Sequence, residues 1–153
     1  MDRQQLAALL QPLAELLRGV ALQDAGLAAA HLNARMPLHS PELQAVREAL
    51  EAGAAAGWLL PKENQGVRYG RVAKDLAGFS VDAVRMSGPA ARHRHPNGEI
   101  DLLFAVSGSP HFDGHAPGWA VYPPGSEHVP TVTGGTMLIL YFLPGGAIEW
   151  TSA

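Results

Sequence analysis

The 153-residue chain contains no cysteine. That excludes a disulfide framework, a thiolate metal site and a cysteine nucleophile. Any metal must therefore be held by His, Asp, Glu or water. Excess positive charge is also lacking: 11 Lys and Arg stand against 14 Asp and Glu, for a formal net charge of -3 and a pI near 6.1. This balance argues against a nucleic-acid binder. No apolar run reaches the roughly 18 residues of a membrane helix, so no membrane partner is expected. The first residues include Asp2, Glu15 and Arg18 without a basic lead. They do not read as a signal peptide, and a cytoplasmic protein is the expectation. At 47% hydrophobic and 16% charged residues, the chain reads as globular, with a length suited to one core.

Aromatic residues are missing from one part of the chain. Residues 1–57 hold 15 Ala and 12 Leu but no Phe, Trp or Tyr, whereas all ten aromatics and 13 of the 17 glycines lie further on. The first part is a helix former and the second a strand-and-turn former. The expected organisation is an α-helical segment over 1–57, packed on the remainder or on a partner, and a β domain over 58–153. Leu6, Leu9, Leu10, Leu13, Leu16 and Leu17 follow one helical face, with Pro12 expected to kink or delay that helix. A second helix is expected over about Asp24–Arg35. A third starts at Ser40 as cap, with Pro41 at the first position and Glu42 on the dipole, and ends at Gly53 or Gly57. Strands are predicted at Gly66–Lys74, Phe79–Met86, Ala90–His95, Ile100–Val106, Gly118–Tyr122 and Thr136–Leu143. Short strands divided by Pro and Gly turns suggest a sandwich or barrel.

Seven histidines are present, and their spacing is uneven. In His93-Arg94-His95-Pro96-Asn97-Gly98-Glu99, the two histidines of one strand project to the same face. The Pro-Asn-Gly turn can then return Glu99 to that face. His128 follows Pro123-Pro124-Gly125-Ser126-Glu127 and can enter from a neighbouring strand. Three imidazoles and one carboxylate can hold a divalent cation and leave positions open. His31, His39, His111 and His115 lack such a context.

These stretches resemble the two cupin motifs. Gly88, His93, His95, Glu99 and Gly108 fit the first, with four residues in the first gap and eight in the last. Gly118, Pro123, Gly125 and His128 fit the second, with the first gap one residue shorter than the family's and Val132 in place of a final Asn. The resemblance implies a mainly β fold, a cupin-type β-barrel (jelly roll) with an N-terminal helical segment, and metal ligation by His93, His95, Glu99 and His128.

A narrower resemblance runs from about Gly57 to Trp150. It rests on Gly57-Trp58-Leu59, Gly66-Val67-Arg68-Tyr69-Gly70-Arg71, Gly78-Phe79-Ser80-Val81-Asp82 and the His93–Asp101 stretch. Phe112-Asp113-Gly114, Tyr122-Pro123-Pro124-Gly125-Ser126 and Leu140–Pro144 extend it. This pattern is similar to the 4-hydroxylaminobenzoate lyase family of nitroarene degradation. The resemblance implies conversion of 4-hydroxylaminobenzoate to 3,4-dihydroxybenzoate with release of ammonia. No net redox change is involved, so Zn, Mn, Fe or Ni would each serve as the divalent metal ion. A small aromatic carboxylate substrate calls for an arginine fork; Arg71 is the first choice, Arg68 the second and Arg85 a reserve. Trp119, Tyr122, Tyr141 and Phe104 are candidates to line an aromatic slot. Glu99, Asp101 and Tyr141 are the candidate catalytic groups, with Asp101 either a proton shuttle or the partner of a ligating histidine. Competing readings are another metal-dependent cupin enzyme, a dioxygenase or isomerase, and a non-enzymatic small-ligand binder. Sheet edges and the Ala/Leu-rich segment suggest a homo-oligomer, a dimer or higher.

Overall fold

The structure, a computed structural model, describes residues 1–151. Three helices lead the chain: α1 (Arg3–Leu17), α2 (Ala25–Arg35) and α3 (Pro41–Ala56). Their starts follow cap chemistry. Asp2 and Gln5 form a capping box, Asp24 accepts from the Leu27 N–H, and Ser40 accepts from the Leu43 N–H ahead of Pro41. Pro12 does not interrupt α1. It lies on the exposed face, while Leu6, Leu10, Leu13 and Leu17 are buried on the other. That burial, at about 1.5–3 kcal/mol per side chain, offsets the one lost backbone bond. Gly57, at φ 88°, ends α3. Gly53 does not: it lies inside the helix, where a Cβ would meet the Trp58 ring at 2.7 Å.

Nine strands follow among the described residues: β1 (Lys62–Asn64), β2 (Val67–Leu76), β3 (Phe79–Met86), β4 (His93–His95), β5 (Glu99–Phe112), β6 (Gly118–Tyr122), β7 (Ser126–His128), β8 (Val132–Pro144) and β9 (Glu149–Trp150). Two predicted strands, β3 and β6, match end to end. The strand expected from Ala90 is confined to His93–His95, and β5 and β8 run longer than expected because they pair with each other through Phe112 and Val132. The short strands β1, β7 and β9 carry too few residues for a period-2 pattern to register.

All pairing is antiparallel, in a six-stranded sheet of order β1-β2-β3-β8-β5-β6 and a three-stranded sheet of order β7-β4-β9. The fold is mainly β, with three leading helices. The expected closed barrel is corrected here: among the described residues no ladder joins the two sheets, so they form an open two-sheet roll.

Period-2 alternation sorts the large sheet into two faces. Val81, Ala83, Ile100, Leu102, Phe104, Leu138, Leu140 and Phe142 share one apolar cluster with the buried leucines of the helices. The opposite face carries Val84, Leu103, Ile139 and Tyr141, together with Glu99 and Asp101. Helix α2 also covers the β6 edge. The Asn33 amide accepts from the Trp119 N–H at 2.9 Å and donates to the Trp119 carbonyl at 3.1 Å, taking the place of a neighbouring strand. No helix of the described residues is long and apolar enough to cross a membrane.

Replacing Asn33 with Ala removes both bonds from this edge. The expected cost is about 1–3 kcal/mol, read as a lower urea midpoint with an unchanged slope.

Candidate metal centre

The small sheet assembles the histidines. In its antiparallel register His93 lies opposite His128, and His95 opposite Ser126. Directly opposed residues share a face, so all four side chains point toward the inner face of the large sheet. Glu99 opens β5 and points back at them. The ligand atoms of His93, His95, Glu99 and His128 all lie within 4.8 Å of one another. His93, His95 and Glu99 are buried, and His128 is partly so.

The outward ring nitrogens are held. His93 Nδ1 lies 3.1 Å from the Ala91 carbonyl, His95 Nδ1 3.0 Å from Ser126 Oγ, and His128 Nδ1 2.6 Å from Asp113 Oδ2. A carbonyl and a carboxylate accept only, so these partners assign the proton of His93 and of His128 to Nδ1. Their Nε2 lone pairs then face each other at 3.2 Å, where neither can donate. His95 Nε2 and Glu99 Oε2 approach to 3.1 Å, yet neither has an aligned hydrogen-bond partner. Inward acceptors converging on one point, with their outer nitrogens anchored, are the arrangement a divalent cation satisfies. The residues fit a metal. Burial also lowers the His93 pKa, against the opposing pull of Glu99, which keeps its ring a neutral donor of electron pairs.

Asp113 is a site residue that sequence reasoning missed. It follows β5 in left-handed backbone at φ 49°, with Gly114 after it. Its carboxylate accepts from His128 Nδ1 and the Tyr122 hydroxyl, both at 2.6 Å, and from the Thr131 N–H at 2.9 Å. Burial alone would raise its pKa, but the bonds from His128, Tyr122 and Thr131 outweigh this and hold it below the usual carboxylate range. The signal available in sequence was the Asp113-Gly114 turn; its partners are 9–18 residues away.

Asp101 shares the Glu99 face, is fully buried, and has no hydrogen-bond partner at either oxygen. It is therefore not the partner of a ligating histidine; Asp113, Ser126 and the Ala91 carbonyl take those places. Burial, then the neighbouring Glu99, pushes its pKa well above the carboxylate range. Tyr122 and Tyr141 are both on the inner side. Burial and the charge of Asp101 raise their phenols far above the ordinary value, so both remain protonated.

Trp119 and Phe104 are corrections to the aromatic slot. Both fall on the opposite face, in the cluster shared with the helices, and the Trp119 indole N–H donates to the Met36 carbonyl. Arg68 is a further correction. It points outward, donates to the Leu60 carbonyl at 2.9 Å and pairs with Glu63. Arg85 lies opposite it in the β2–β3 ladder and shares that outer face. Arg71 alone of the three lines the cavity of about 450 Å³ that also reaches His93, Glu99 and Tyr141. Its Nε and Nη2 meet Asp82 at 3.0 and 3.5 Å. A larger open cleft of about 670 Å³ near Leu17 and Phe79 contains no histidine and has only Arg18 and Asp75 as charged lining groups. Of the two, the smaller is lined by members of the His/Glu cluster.

Fold and site together define a mainly β protein of two antiparallel sheets with a candidate three-histidine, one-glutamate metal centre. A family model described as PnbB, 4-hydroxylaminobenzoate lyase, matches residues 9–150. The chain belongs to that family. It is 31% identical to a 4-hydroxylaminobenzoate lyase of Nocardioides sp. (strain LMS-CY) over 111 residues, 64% of this chain and 66% of that protein. It is 27% identical to a 4-hydroxylaminobenzoate lyase of Pseudomonas putida over 119 residues, 64% of this chain and 68% of that protein. The chain thus spans about two thirds of the length of these relatives. An RmlC-like cupin protein from Ralstonia eutropha, solved by crystallography, superposes with a TM-score of 0.46 at 15% identity, covering 61% of this chain and 66% of that one.

Replacing Asp113 with Asn keeps an acceptor for Thr131 but removes the charge that orients His128. Affinity for Zn²⁺ or Mn²⁺ is expected to fall about 10- to 100-fold, measured by direct metal titration of the folded variant.

Proposed function

We propose that the chain is a metal-dependent lyase that converts 4-hydroxylaminobenzoate and water to 3,4-dihydroxybenzoate and ammonia. Family membership supports the substrate class. The observation that carries the reading is that one cavity is lined both by Arg71 and by His93 and Glu99, two members of the four-residue cluster.

The inner face gives this cavity a direction. Arg71 pairs with Asp82, Asp82 with Tyr141, and Tyr141 with Asp101, one row across four strands. At ~4.8 Å per strand the row places the Arg71 and Asp101 backbones about 14 Å apart. An aromatic ring laid along the row can put its carboxylate on Arg71 and its opposite substituent toward the His/Glu cluster. Asp82 holds one edge of the guanidinium and leaves Nη1 to bind the substrate carboxylate. Tyr141 is itself in the row and lines the cavity, while Tyr122 packs its ring on that of His128, with centroids 4.4 Å apart.

When bound, a divalent ion (Zn, Mn, Fe or Ni) would polarise an oxygen and lower the pKa of a water. The organic route is of the Bamberger type. The N–O bond breaks, leaving an electron-poor ring that takes an oxygen nucleophile at the carbon ortho to nitrogen. Hydrolysis of the adjacent imine carbon then releases ammonia, and tautomerisation restores the catechol. Atoms balance without O2. Asp101 is the candidate to move a proton to the leaving nitrogen. The buried lining of Tyr141, Val84 and Leu143 excludes bulk water from the electron-poor ring.

Incubated without oxygen, the metal-loaded protein should yield ammonia and 3,4-dihydroxybenzoate in equal amounts, and His95→Ala should lose bound metal and turnover together. A requirement for O2 would instead indicate a dioxygenase, and absence of both product and metal would overturn the reading. Arg71→Ala is expected to raise KM about 10- to 100-fold, the loss of a charged hydrogen-bonded contact, while metal content stays unchanged.

A further inference from the structure

We propose that Trp150 is a substrate-binding residue, an aromatic wall on which the ring of the carboxylate substrate stacks; this rests on the reading that the cavity takes an aromatic carboxylate. The placement follows from register. In the small sheet β4 lies between β7 and β9, and His93 is opposite His128 on one side and Trp150 on the other. Opposed residues of an antiparallel pair share a face. The row His128, His93, Trp150 therefore points as one toward the cavity, while Arg94 and Glu149 in the next row pair outside it at 3.2 Å.

The indole ring lies 5.5 Å from the His93 ring, with the planes 69° apart, and it lines the same cavity as Arg71 and Tyr141. It is nevertheless 69% exposed. Trp119, by contrast, is buried beneath the helices with its N–H satisfied. The Trp150 indole has neither burial nor a hydrogen bond among the described residues. Strand pairing to β4, the Arg94–Glu149 contact and the Thr151 N–H to the Arg92 carbonyl hold its backbone in place. An uncovered indole on a paired backbone, beside His93 of the cluster, offers a flat π-surface to a flat ligand. Sequence periodicity gave no access to it, because β9 has only two residues.

The test uses 4-aminobenzoate, which has the ring and carboxylate but no N–O bond to break. Cyclohexanecarboxylate serves as the saturated control. Binding is measured by calorimetry on the metal-loaded full chain. Trp150→Ala should weaken 4-aminobenzoate about tenfold and cyclohexanecarboxylate much less, with metal content unchanged. Trp150→Phe should recover most of the affinity. Equal affinity of the wild type and Trp150→Ala for 4-aminobenzoate overturns the proposal, as does equal weakening of both ligands or no binding to the wild type. The lyase reading fails separately: Trp150-dependent binding without ammonia release from 4-hydroxylaminobenzoate removes that reading and keeps the wall. Ammonia release with no Trp150 dependence does the reverse.

Discussion

Three imidazoles and a carboxylate turned toward one point in a buried space dominate this structure. Buried polar atoms without partners are costly, and here the cost is concentrated where Nε2 of His93 faces Nε2 of His128 and where His95 meets Glu99. Tying the outer nitrogens elsewhere makes the arrangement rigid and increases its need for a central positive charge. A cation reverses the sign of the problem: the same lone pairs become ligands, and the anchors that aim them reduce the reorganisation needed on binding. The apolar packing of the helices, the turns and the sheet register all serve to keep these four groups from rotating away.

Sheet alternation decides which residues share that space. Glu99, Asp101 and Leu103 fall on one face of β5, and Ile100, Leu102 and Phe104 on the other. The same division along β6 separates Tyr122 from Trp119. An aromatic residue next to a site in sequence is thus as often behind the sheet as in front of it. Helices covering the outer face account for Trp119, whose indole has its own carbonyl partner there. Along β2 the same alternation puts Arg71 on the inner side, opposite Asp82, and Arg68 on the outer side, opposite Arg85.

The same distinction explains what was legible in the sequence. Helix starts were readable at Ser40, Pro41 and Glu42 because cap chemistry is local. The clustering of His93, His95, Glu99 and His128 was readable because the first three belong to one hairpin and His128 to a second motif. Pro12 misled because propensity is a weak force against a buried leucine stripe. Asp113, Ser126 and Asp82 were not readable as partners, since each acts through a contact fixed only by long-range pairing. Ser126 sits in the second motif, yet only the β4–β7 register reveals that it meets His95. Closure of the barrel was likewise a matter of hydrogen bonds between sheets, which no local pattern records.

The sheet edges bear on assembly. An exposed edge invites pairing with another chain, and this was part of the reason to expect an oligomer. On one side Asn33 occupies the hydrogen-bonding groups of Trp119, and α2 covers the strand. On the other side β1 is three residues long, fully exposed, and carries Lys62 and Glu63. Short charged strands resist edge pairing. The large sheet is thus protected at both ends by the chain itself, and the helical segment already packs its leucines on that sheet. The edges of the large sheet and the leucine face of the helices are thus covered within one chain, whereas β7 and β9 end the small sheet with no further strand beside them among the described residues.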